Sequence, residues 1–389
     1  MLVGVVVLVL VRYDHINKYK AVRVTTSIPK PKVRHPGLPV NQIGLTRRDY
    51  EGAMSTLCAG CGHDSITAAI VKAFWELSIP PHKVAKLSGI GCSSKTPAYF
   101  LKEAHGFNAV HGRMPSIGTG ASAANRDLMF IGVSGDGDSL SIGLGQFCHA
   151  IRRNLNVLYI LENNGVYGLT KGQFSASADI GSKPKKGEPN RNPPIDPVLL
   201  ALNLGATFVA RSFSGDKEQL VPLVKAGLAH KGFAFIDVIS PCVTFNDHEG
   251  STKSYSFTRD HTKAVVEMDH LSVVDHDEPG HSDLVPIRTE ISANYAPGTR
   301  LDVTMHDGSM VRLRKIDESY DPTDRDRAYG YVRSAQRKGE VATGLLYLST
   351  DAPEMHEIEG TVSTPLATLP YDQLCPGSDA LAALMEEFR

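Results

Sequence analysis

The sequence predicts an α/β fold: a mostly parallel sheet with helices on both faces, followed by a small C-terminal α+β extension. Two observations predict the sheet. Apolar runs rich in β-branched residues recur through the middle of the chain, and amphipathic helical patterns separate them. The pattern changes after about residue 255, where a hairpin and a polar helix replace the alternation. We therefore expect an N-terminal extension (1–40), a central domain (41–255) and a C-terminal extension (256–389).

Length and charge restrict the class of protein. The chain has 389 residues, longer than one typical domain of about 100–200 residues. Its 41 Lys and Arg residues balance 42 Asp and Glu residues, so no basic excess is present to bind nucleic acid. Six cysteines are too few for a disulfide scaffold in a chain of this length. We expect a cytoplasmic protein that contacts neither nucleic acid nor a membrane.

The first residues carry an apolar run from Leu2 to Val11, closed by Arg12. A membrane-spanning helix needs about 20 apolar residues, so this run is too short. A secretory signal would have a basic segment before the run and small residues after it, and neither is present. We expect a disordered or wrongly assigned start, with a weak membrane-contacting tail as the alternative.

The central domain alternates strands and helices, in order along the chain. Its predicted strands are Ala85–Ile90, Leu128–Ser134, Leu155–Leu161 and Phe233–Ile239. Its clearest predicted helices are Asp64–Leu77, with Asp64 as the N-cap, and Ser139–Arg153. In a parallel sheet of this kind, ligands bind at the carboxyl ends of the strands.

The C-terminal extension reads as shorter elements without a catalytic motif. They are a hairpin over Leu301–Lys315, a helix over Pro322–Lys338, a strand over Thr343–Leu348 and an amphipathic helix over Ser378–Phe388.

The first candidate site joins two predicted turns. Gly135-Asp136-Gly137 follows one predicted strand, and Asn164 follows the next, 28 residues after Asp136. With the carbonyl of Val166, these residues offer the oxygen ligands that Mg²⁺ prefers, and the glycines let a diphosphate approach the backbone. Two ordinary turns are the alternative. The pairing of both motifs at one crossover distance favours a metal-bound diphosphate.

The second candidate site is a group of four cysteines. Cys58 and Cys61 form a CxxC loop, while Cys92 and Cys242 each follow a predicted strand at the same sheet edge as Asp136. Four thiolates can ligate a [4Fe-4S] cluster, although their number alone equally allows zinc. The position beside a diphosphate cofactor favours the redox cluster, because zinc would add nothing to the chemistry there.

Two further cysteines are expected to be structural. Cys148, on a predicted helix, is expected to be a buried small hydrophobe, and Cys375 is remote in sequence from the others.

Six ordered motifs identify the family that the chain resembles. They read LCAGCGHD, GIGCSSKTP, HGRMPSIGTG, GVSGDGDSLSIG, LENNGVYGLTKGQ and SPCVTFND, and the similarity runs from about Gly44 to Asn246. Together they resemble the β subunits of the 2-oxoacid:ferredoxin oxidoreductases, most of all the two-subunit 2-oxoglutarate-type enzymes. The resemblance implies the thiamine diphosphate-binding fold. It also implies CoA-dependent oxidative decarboxylation of a 2-oxoacid to CO₂ and an acyl-CoA, with 2-oxoglutarate giving succinyl-CoA.

The resemblance further implies cofactors, partners and binding residues. The cofactors would be thiamine diphosphate, Mg²⁺ and one [4Fe-4S] cluster, with coenzyme A as co-substrate and ferredoxin as the electron acceptor. A separate α subunit would supply the other half of the thiamine diphosphate site, giving a heterodimer or a dimer of heterodimers. By resemblance, the cluster ligands are Cys58, Cys61, Cys92 and Cys242, the Mg²⁺ ligands are Asp136, Asn164 and Val166, and the thiamine diphosphate contacts are Ile90, Gly91, Cys92, Ser93, Gly137, Asp138, Gly168 and Leu169.

Lys95, His111 and Arg113 are candidates for catalysis or substrate binding. Lys95, three positions after Cys92, offers an ammonium to a substrate carboxylate; alternatively it balances the charge of the cluster. His111, close to Arg113 in the HGRMP segment, offers a proton to a substrate oxygen, and a hydrogen-bonded structural histidine is an equal alternative. Leu169 is a candidate wall of the substrate pocket.

Other functions stay open at this point. Within the family, the alternative is an enzyme for pyruvate or for a broad range of 2-oxoacids. Outside it, the alternatives are a thiamine diphosphate decarboxylase without electron transfer and a non-catalytic zinc-bearing subunit. The zinc alternative leaves the Asp136 and Asn164 motifs unexplained.

Overall fold

The computed structural model describes residues 35–183, 187–272, 300–304, 310–315, 320–375 and 377–388. Most of these residues belong to strands or helices. The strands are β1 (Val84–Ser88), β2 (His105–Asn108), β3 (Met129–Gly135), β4 (Val157–Asn163), β5 (Val166–Tyr167), β6 (Gln173–Phe174), β7 (Phe208–Phe213), β8 (Phe233–Ile239), β9 (Thr262–Ser272), β10 (Arg300–Thr304), β11 (Met310–Lys315) and β12 (Val341–Leu348). The helices are α1 (Gly62–Glu76), α2 (Met114–Ala124), α3 (Leu144–Arg152), α4 (Pro197–Leu204), α5 (Lys217–Ala229), α6 (Tyr255–His261), α7 (Arg325–Arg337), α8 (Met355–Glu359), α9 (Tyr371–Leu374) and α10 (Gly377–Glu386).

Ten of these strands form one mixed sheet in the order β10-β11-β9-β12-β7-β8-β4-β3-β1-β2, and β5 and β6 form a separate hairpin. The six strands from β7 to β2 are mutually parallel. Every residue of β4 and β8 is buried, as expected at the centre of a parallel sheet that is covered on both faces. The predicted α/β class with a mostly parallel sheet is confirmed.

The helices form two packed groups, one with α1 against α5 and the other with α2, α3 and α4 in succession. The predicted apolar face of α1 is buried, and it comprises Ile66, Ile70, Val71 and Phe74. The predicted N-cap is wrong. Cys61 holds that position with an extended backbone, so the helix begins before Asp64 and directly after the CxxC loop.

An aromatic cluster fixes α3 on the sheet. Phe147 of α3 packs edge-on against Tyr159 of β4 and Phe235 of β8, with ring centroids 5.2 Å apart in both pairs. The hydroxyl of Tyr159 is also hydrogen-bonded to that of Ser139, 2.6 Å away. Ser139 lies in the turn that follows β3, so the cluster holds this turn against the sheet.

The helix predicted over Ser139–Arg153 is divided in two. A π-helical turn over Gly137–Ile142 comes first, and α3 follows it. The division arises because the amide of Gly143 donates to the carbonyl of Asp138, five residues back, at 2.8 Å. Such turns are frequent at functional sites.

The C-terminal region continues the same sheet. β12 pairs antiparallel with β7 and parallel with β9, and β10 and β11 form the predicted hairpin. The hairpin turn, residues 305–309, lies outside the described residues. Side chains of α7 and β12 belong to the same hydrophobic core as the central strands. Sheet and core therefore cross the boundary predicted between residues 255 and 256.

The N-terminal extension is described only in part. Residues 1–34 lie outside the described residues, whereas Val40 forms a β-bridge with Thr46. Within the described part of the chain, no helix combines the length and the apolar character that a membrane crossing requires.

A buried lysine holds the segment that follows β1. Lys86 is 7% exposed, and its ammonium donates to the carbonyls of Pro97, Phe100 and Leu101 at 2.8, 2.7 and 2.9 Å. Burial lowers the pKa of its amine to about 8, so the group still carries a charge at neutral pH. The loop that contains Cys92 is thereby tied to β1 at its far end.

We expect Lys86→Met to lower the free energy of unfolding by about 3 kcal/mol, because buried carbonyls lose their donor while the aliphatic stem is kept. Lys83→Met is the control, since Lys83 is exposed in the turn before β1. Denaturant unfolding followed by circular dichroism measures both variants. Equal stability of the two would mean that the ammonium contributes nothing.

Candidate functional site

The predicted site residues lie at the carboxyl ends of four neighbouring parallel strands. The loops after β1, β3, β4 and β8 carry Cys92, Asp136, Asn164 and Cys242. These strands are adjacent in the sheet, in the order β8-β4-β3-β1. The four loops therefore meet at one edge of the sheet, as expected from the sequence.

A narrow pocket opens among these loops. Its walls include all of the predicted thiamine diphosphate contacts, namely Ile90, Gly91, Cys92, Ser93, Gly137, Asp138, Gly168 and Leu169. The walls also include His111, Asn164, Val166 and Gly135 of the predicted Gly135-Asp136-Gly137 turn, together with Tyr167 and Thr170, to which no role was assigned from the sequence.

The carboxyl group of Asp136 is buried and anchored on one side. Its Oδ2 accepts hydrogen bonds from the hydroxyls of Ser175 and Ser177 and, at 3.0 Å, from the amide of Gly165. Its Oδ1 accepts one long bond of 3.4 Å from the amide of Asn164. Burial raises the pKa of this carboxyl, although the serine hydroxyls act in the opposite direction. The protein thus makes three hydrogen bonds to Oδ2 and one long bond to Oδ1, and Asp136 lies behind the residues that line the pocket.

Asn164 is fixed by its own turn and by the loop after β8. Its Oδ1 accepts from the amide of Val166 at 3.0 Å, and its backbone carbonyl accepts from the side-chain amide of Asn246 at 2.8 Å. Asn246 stands four residues after Cys242, so it links the loop that carries this cysteine to the predicted metal site. No motif in the sequence marks Asn246 as a site residue.

Asp138 joins three loops of the pocket. Its Oδ1 accepts from Nδ1 of His111 at 2.6 Å and from the amide of Gly112 at 2.8 Å, while Oδ2 accepts from the hydroxyl of Ser134 at 2.8 Å. Gly89 approaches so closely that a Cβ on it would lie 1.9 Å from Oδ2. In the neutral imidazole, the bond to Asp138 assigns the proton of His111 to Nδ1, so Nε2 is the nitrogen available to a ligand.

Gly168 brings two of the predicted cluster ligands next to the pocket. A Cβ on Gly168 would lie 3.3 Å from Sγ of Cys92 and 3.9 Å from Sγ of Cys242. Both sulfurs therefore border the turn that forms one wall of the pocket. A side chain at Gly168 would stand between them, which explains why glycine fits this position.

The CxxC loop lies close to the loop that carries Cys242. Sγ of Cys58 accepts from the hydroxyl of Thr244 at 3.4 Å, and Cys61 interacts electrostatically with Cys242. Burial raises the pKa of the Cys61 thiol to about 12 and also raises that of Cys242. Metal binding at these sulfurs would therefore release protons.

Among the described residues, no group of three His, Cys, Asp or Glu side chains is arranged to hold a single metal ion. The predicted Mg²⁺ set contains one such side chain, Asp136, and is completed by the oxygens of Asn164 and Val166. A four-iron cluster, in turn, bridges thiolates that stand further apart than the ligands of one ion. The Mg²⁺ site and the cluster site are therefore neither confirmed nor contradicted by this finding.

Two of the three catalytic candidates do not line the pocket. Lys95 is partly buried, and its charge acts on the thiol of Cys92, where it opposes the rise in pKa caused by burial. Arg113 is exposed at the N-cap position of α2. His111 does line the pocket, and so does Leu169, which is 46% exposed.

The cysteines outside this group are not buried. Cys148 is partly exposed and Cys375 is exposed, so the expected burial of Cys148 is wrong. The buried residues of α3 are Phe147, Ala150 and Ile151, and Cys148 falls beside this stripe rather than on it.

A buried polar pair, to which no role was assigned from the sequence, has one member next to the CxxC loop in the chain. Nδ1 of His63 lies 3.4 Å from Oε2 of Glu162, and both side chains are fully buried. Burial lowers the pKa of His63 to about 3 and raises that of Glu162 well above its ordinary value. His63 is therefore neutral at pH 7.

Comparisons with known proteins agree with this geometry. Residues 89–238 match the family model described as the C-terminal TPP binding domain of thiamine pyrophosphate enzymes. This range begins in the loop after β1 and ends in β8, so it contains the strands β3 and β4 whose loops carry Asp136 and Asn164.

The curated relatives are named as subunits of 2-oxoacid or 2-oxoglutarate oxidoreductases. The β subunit of a 2-oxoacid:ferredoxin oxidoreductase from Saccharolobus solfataricus is 44% identical over 213 residues, which cover 54% of this chain and 68% of that protein. The 2-oxoglutarate oxidoreductase subunit KorB of Mycobacterium tuberculosis is 43% identical over 217 residues, which cover 55% of this chain and 57% of that protein.

A solved structure resembles most of the fold. It is a 2-oxoglutarate:ferredoxin oxidoreductase from Magnetococcus marinus with 2-oxoglutarate, coenzyme A and succinyl-CoA bound. The match has a TM-score of 0.66 at 28% identity and covers 89% of this chain and 99% of that one. Together with the extent of the match to the Saccharolobus protein, this shows that the chain belongs to the family of 2-oxoacid:ferredoxin oxidoreductase β subunits.

Proposed function

We propose that the chain is the β subunit of a 2-oxoglutarate:ferredoxin oxidoreductase, which converts 2-oxoglutarate and coenzyme A to succinyl-CoA and CO₂. The observation that carries the proposal is the position of Gly168 between the two predicted sites. Gly168 lines the pocket with Asn164 and Asp138, and the sulfurs of Cys92 and Cys242 lie next to Gly168. A diphosphate cofactor and a redox cluster bound here would be neighbours. The relatives that act on 2-oxoglutarate support the choice of substrate.

The donor atoms fit the implied groups. Oδ1 of Asp136, the side-chain oxygen of Asn164 and the carbonyl of Val166 are hard oxygen donors suited to Mg²⁺. Cys58, Cys61, Cys92 and Cys242 supply the thiols for a [4Fe-4S] cluster. When bound, thiamine diphosphate supplies the carbanion chemistry of decarboxylation and the cluster supplies one-electron oxidation.

The residues around the pocket would orient and protonate the substrate. Asp138 holds His111 by a 2.6 Å bond at Nδ1, so the imidazole presents Nε2 in a fixed orientation. When protonated, this nitrogen can donate to an oxygen of the substrate. Asp138 itself is 3% exposed, so its role is to position His111 rather than to contact the substrate.

The partners follow from the family. The matched domain is the C-terminal TPP binding domain of thiamine pyrophosphate enzymes, and we infer that an α subunit would complete the cofactor site. We propose a heterodimer or a dimer of heterodimers, with ferredoxin as the external electron acceptor. The six cysteines are all free thiols, which fits a reducing compartment such as the cytoplasm.

The test is co-expression with the neighbouring α-subunit gene, followed by reduction of a viologen dye with a panel of 2-oxoacids. We expect CoA-dependent activity that is highest with 2-oxoglutarate, and an inactive β subunit when it is purified alone. Highest activity with pyruvate would identify pyruvate as the substrate instead of 2-oxoglutarate. Decarboxylation without dye reduction would favour a non-redox thiamine diphosphate decarboxylase.

The substrate role of Lys95 can be tested in the same assay. If its ammonium pairs with the distal carboxylate of 2-oxoglutarate, Lys95→Ala should raise KM about tenfold for 2-oxoglutarate and leave KM for pyruvate nearly unchanged. Lys102→Ala is the control, because Lys102 is an exposed lysine seven residues further on. An equal change for both substrates would instead indicate that Lys95 balances the charge at Cys92.

A further inference from the structure

The loops of three cysteines meet at one buried imidazole. Nδ1 of His63 lies 2.6 Å from the hydroxyl of Ser240, and its Nε2 lies 3.1 Å from the hydroxyl of Ser93. All three residues are buried, with exposures of 0% for His63 and Ser240 and 4% for Ser93. The imidazole therefore bridges two hydroxyls that come from distant parts of the chain.

Each member of this bridge is a chain neighbour of a predicted cluster ligand. His63 is two residues after Cys61, Ser93 directly follows Cys92, and Ser240 is two residues before Cys242. A displacement of any of these three side chains would thus move the backbone next to a cysteine.

Glu162 ties the bridge to the central strand. Its carboxyl group lies 3.4 Å from Nδ1 of His63 and accepts from the hydroxyl of Thr96 at 3.0 Å. Glu162 belongs to β4, which ends directly before Asn164. The loops are therefore connected to the same strand that carries the predicted Mg²⁺ ligand.

His63 contacts side chains next to Cys92 and Cys242 and itself lies two residues from Cys61. Water cannot replace these hydrogen bonds, because the groups are buried and the cost of an unmade bond is high there. The bridge is thus a rigid spacer between the cysteine loops.

We propose that His63 is a positioning residue that holds the loops of Cys61, Cys92 and Cys242 at a fixed separation from one another and from β4. It acts through Ser93, Ser240 and Glu162 and does not itself bind the cluster. The identification of the bound group as a [4Fe-4S] cluster rests on the proposed function. The positioning of the cysteine loops by His63 does not rest on it.

The variants are Ser93→Ala, Ser240→Ala, His63→Ala and His63→Gln. The matched control is Ser94→Ala, because the hydroxyl of Ser94 is also buried in the Cys92 loop but has no hydrogen-bond partner among the described residues. His63→Gln is the conservative variant, since its amide can still bond to one serine. All are prepared as the anaerobically purified complex with the α subunit, and the melting temperature of each is measured.

The first readout is the bound cluster. We expect Ser240→Ala and Ser93→Ala to lose iron to an external chelator about tenfold faster than wild type and to shift the EPR signal of the reduced cluster. His63→Ala should lose iron fastest and His63→Gln should be intermediate, whereas Ser94→Ala should match wild type. If Ser93→Ala and Ser240→Ala behave as Ser94→Ala does, His63 has no positioning role.

The second readout needs no cluster. In the metal-free complex, diamide accepts two hydrogens from two thiols and leaves a disulfide, and mass spectrometry follows the bond between Cys92 and Cys242. We expect this bond to form about tenfold faster in Ser240→Ala than in Ser94→Ala, because loops that a spacer holds apart cannot bring two sulfurs to bonding distance and release of the spacer lets them approach. Equal rates would overturn the inference. If the wild-type complex is purified without any bound iron, the proposed function is contradicted. The disulfide rates would still test whether His63 positions the cysteine loops.

Discussion

Asp136→Asn is expected to raise the dissociation constant of thiamine diphosphate by about 100-fold at a fixed Mg²⁺ concentration, and to lower activity in proportion. Asn keeps the size of the side chain and one acceptor oxygen for Ser175, Ser177 and Gly165, which bind Oδ2 in the native protein. It removes the negative charge that an Mg²⁺ ion needs beside a diphosphate. Isothermal titration of the purified complex with thiamine diphosphate measures the change.

A surface carboxylate supplies the control for this variant. Asp127 is exposed in the turn before β3, so Asp127→Asn removes the same charge without touching the pocket. We expect its affinity for thiamine diphosphate to equal that of wild type. Raising the Mg²⁺ concentration should partly restore binding to Asp136→Asn. If Asp136→Asn binds thiamine diphosphate as tightly as wild type at low Mg²⁺, Asp136 is not a ligand of the metal ion.

The sequence predicted best the strands that lie at the centre of the sheet. The apolar runs of β3, β4 and β8 are continuous, because both faces of these strands are buried, and their bounds are correct to within two residues. β2 was missed because all of its residues are exposed at the sheet edge. β7 was missed because Arg211 interrupts its apolar pattern; this guanidinium is buried between the carboxylates of Asp196 and Asp237.

The site was predictable where its residues belong to local motifs. The turns with Asp136, Asn164 and Cys92 each follow a recognisable strand, so their meeting at one edge followed from parallel topology alone. The contacts made by Asp138 and His63 could not be predicted in this way. They depend on side chains that are far apart in sequence, such as His63 and Ser240, which lie 177 residues apart. Periodicity carries no information on such pairs.

Cys242→Ala is expected to separate the two halves of the reaction. Cys242 is the thiol that Cys58, Cys61 and Cys92 share as a neighbour, so its loss should leave the cluster incomplete. We expect the variant complex to lose its iron and to reduce viologen about 100-fold more slowly than wild type. Its affinity for thiamine diphosphate should stay within about threefold of wild type, because the oxygen donors of the Mg²⁺ site are untouched.

Cys148→Ala is the matched control for Cys242→Ala, since Cys148 lies on α3 and is partly exposed outside the pocket. We expect Cys148→Ala to keep its iron, its affinity for thiamine diphosphate and its rate of viologen reduction. The comparison also decides between the proposed enzyme and its non-redox rival. A decarboxylase that needs no cluster would form product at the same rate in both variants, whereas an oxidoreductase would require Cys242 for every electron that reaches the dye. Full viologen reduction by iron-free Cys242→Ala would therefore contradict the proposed electron path.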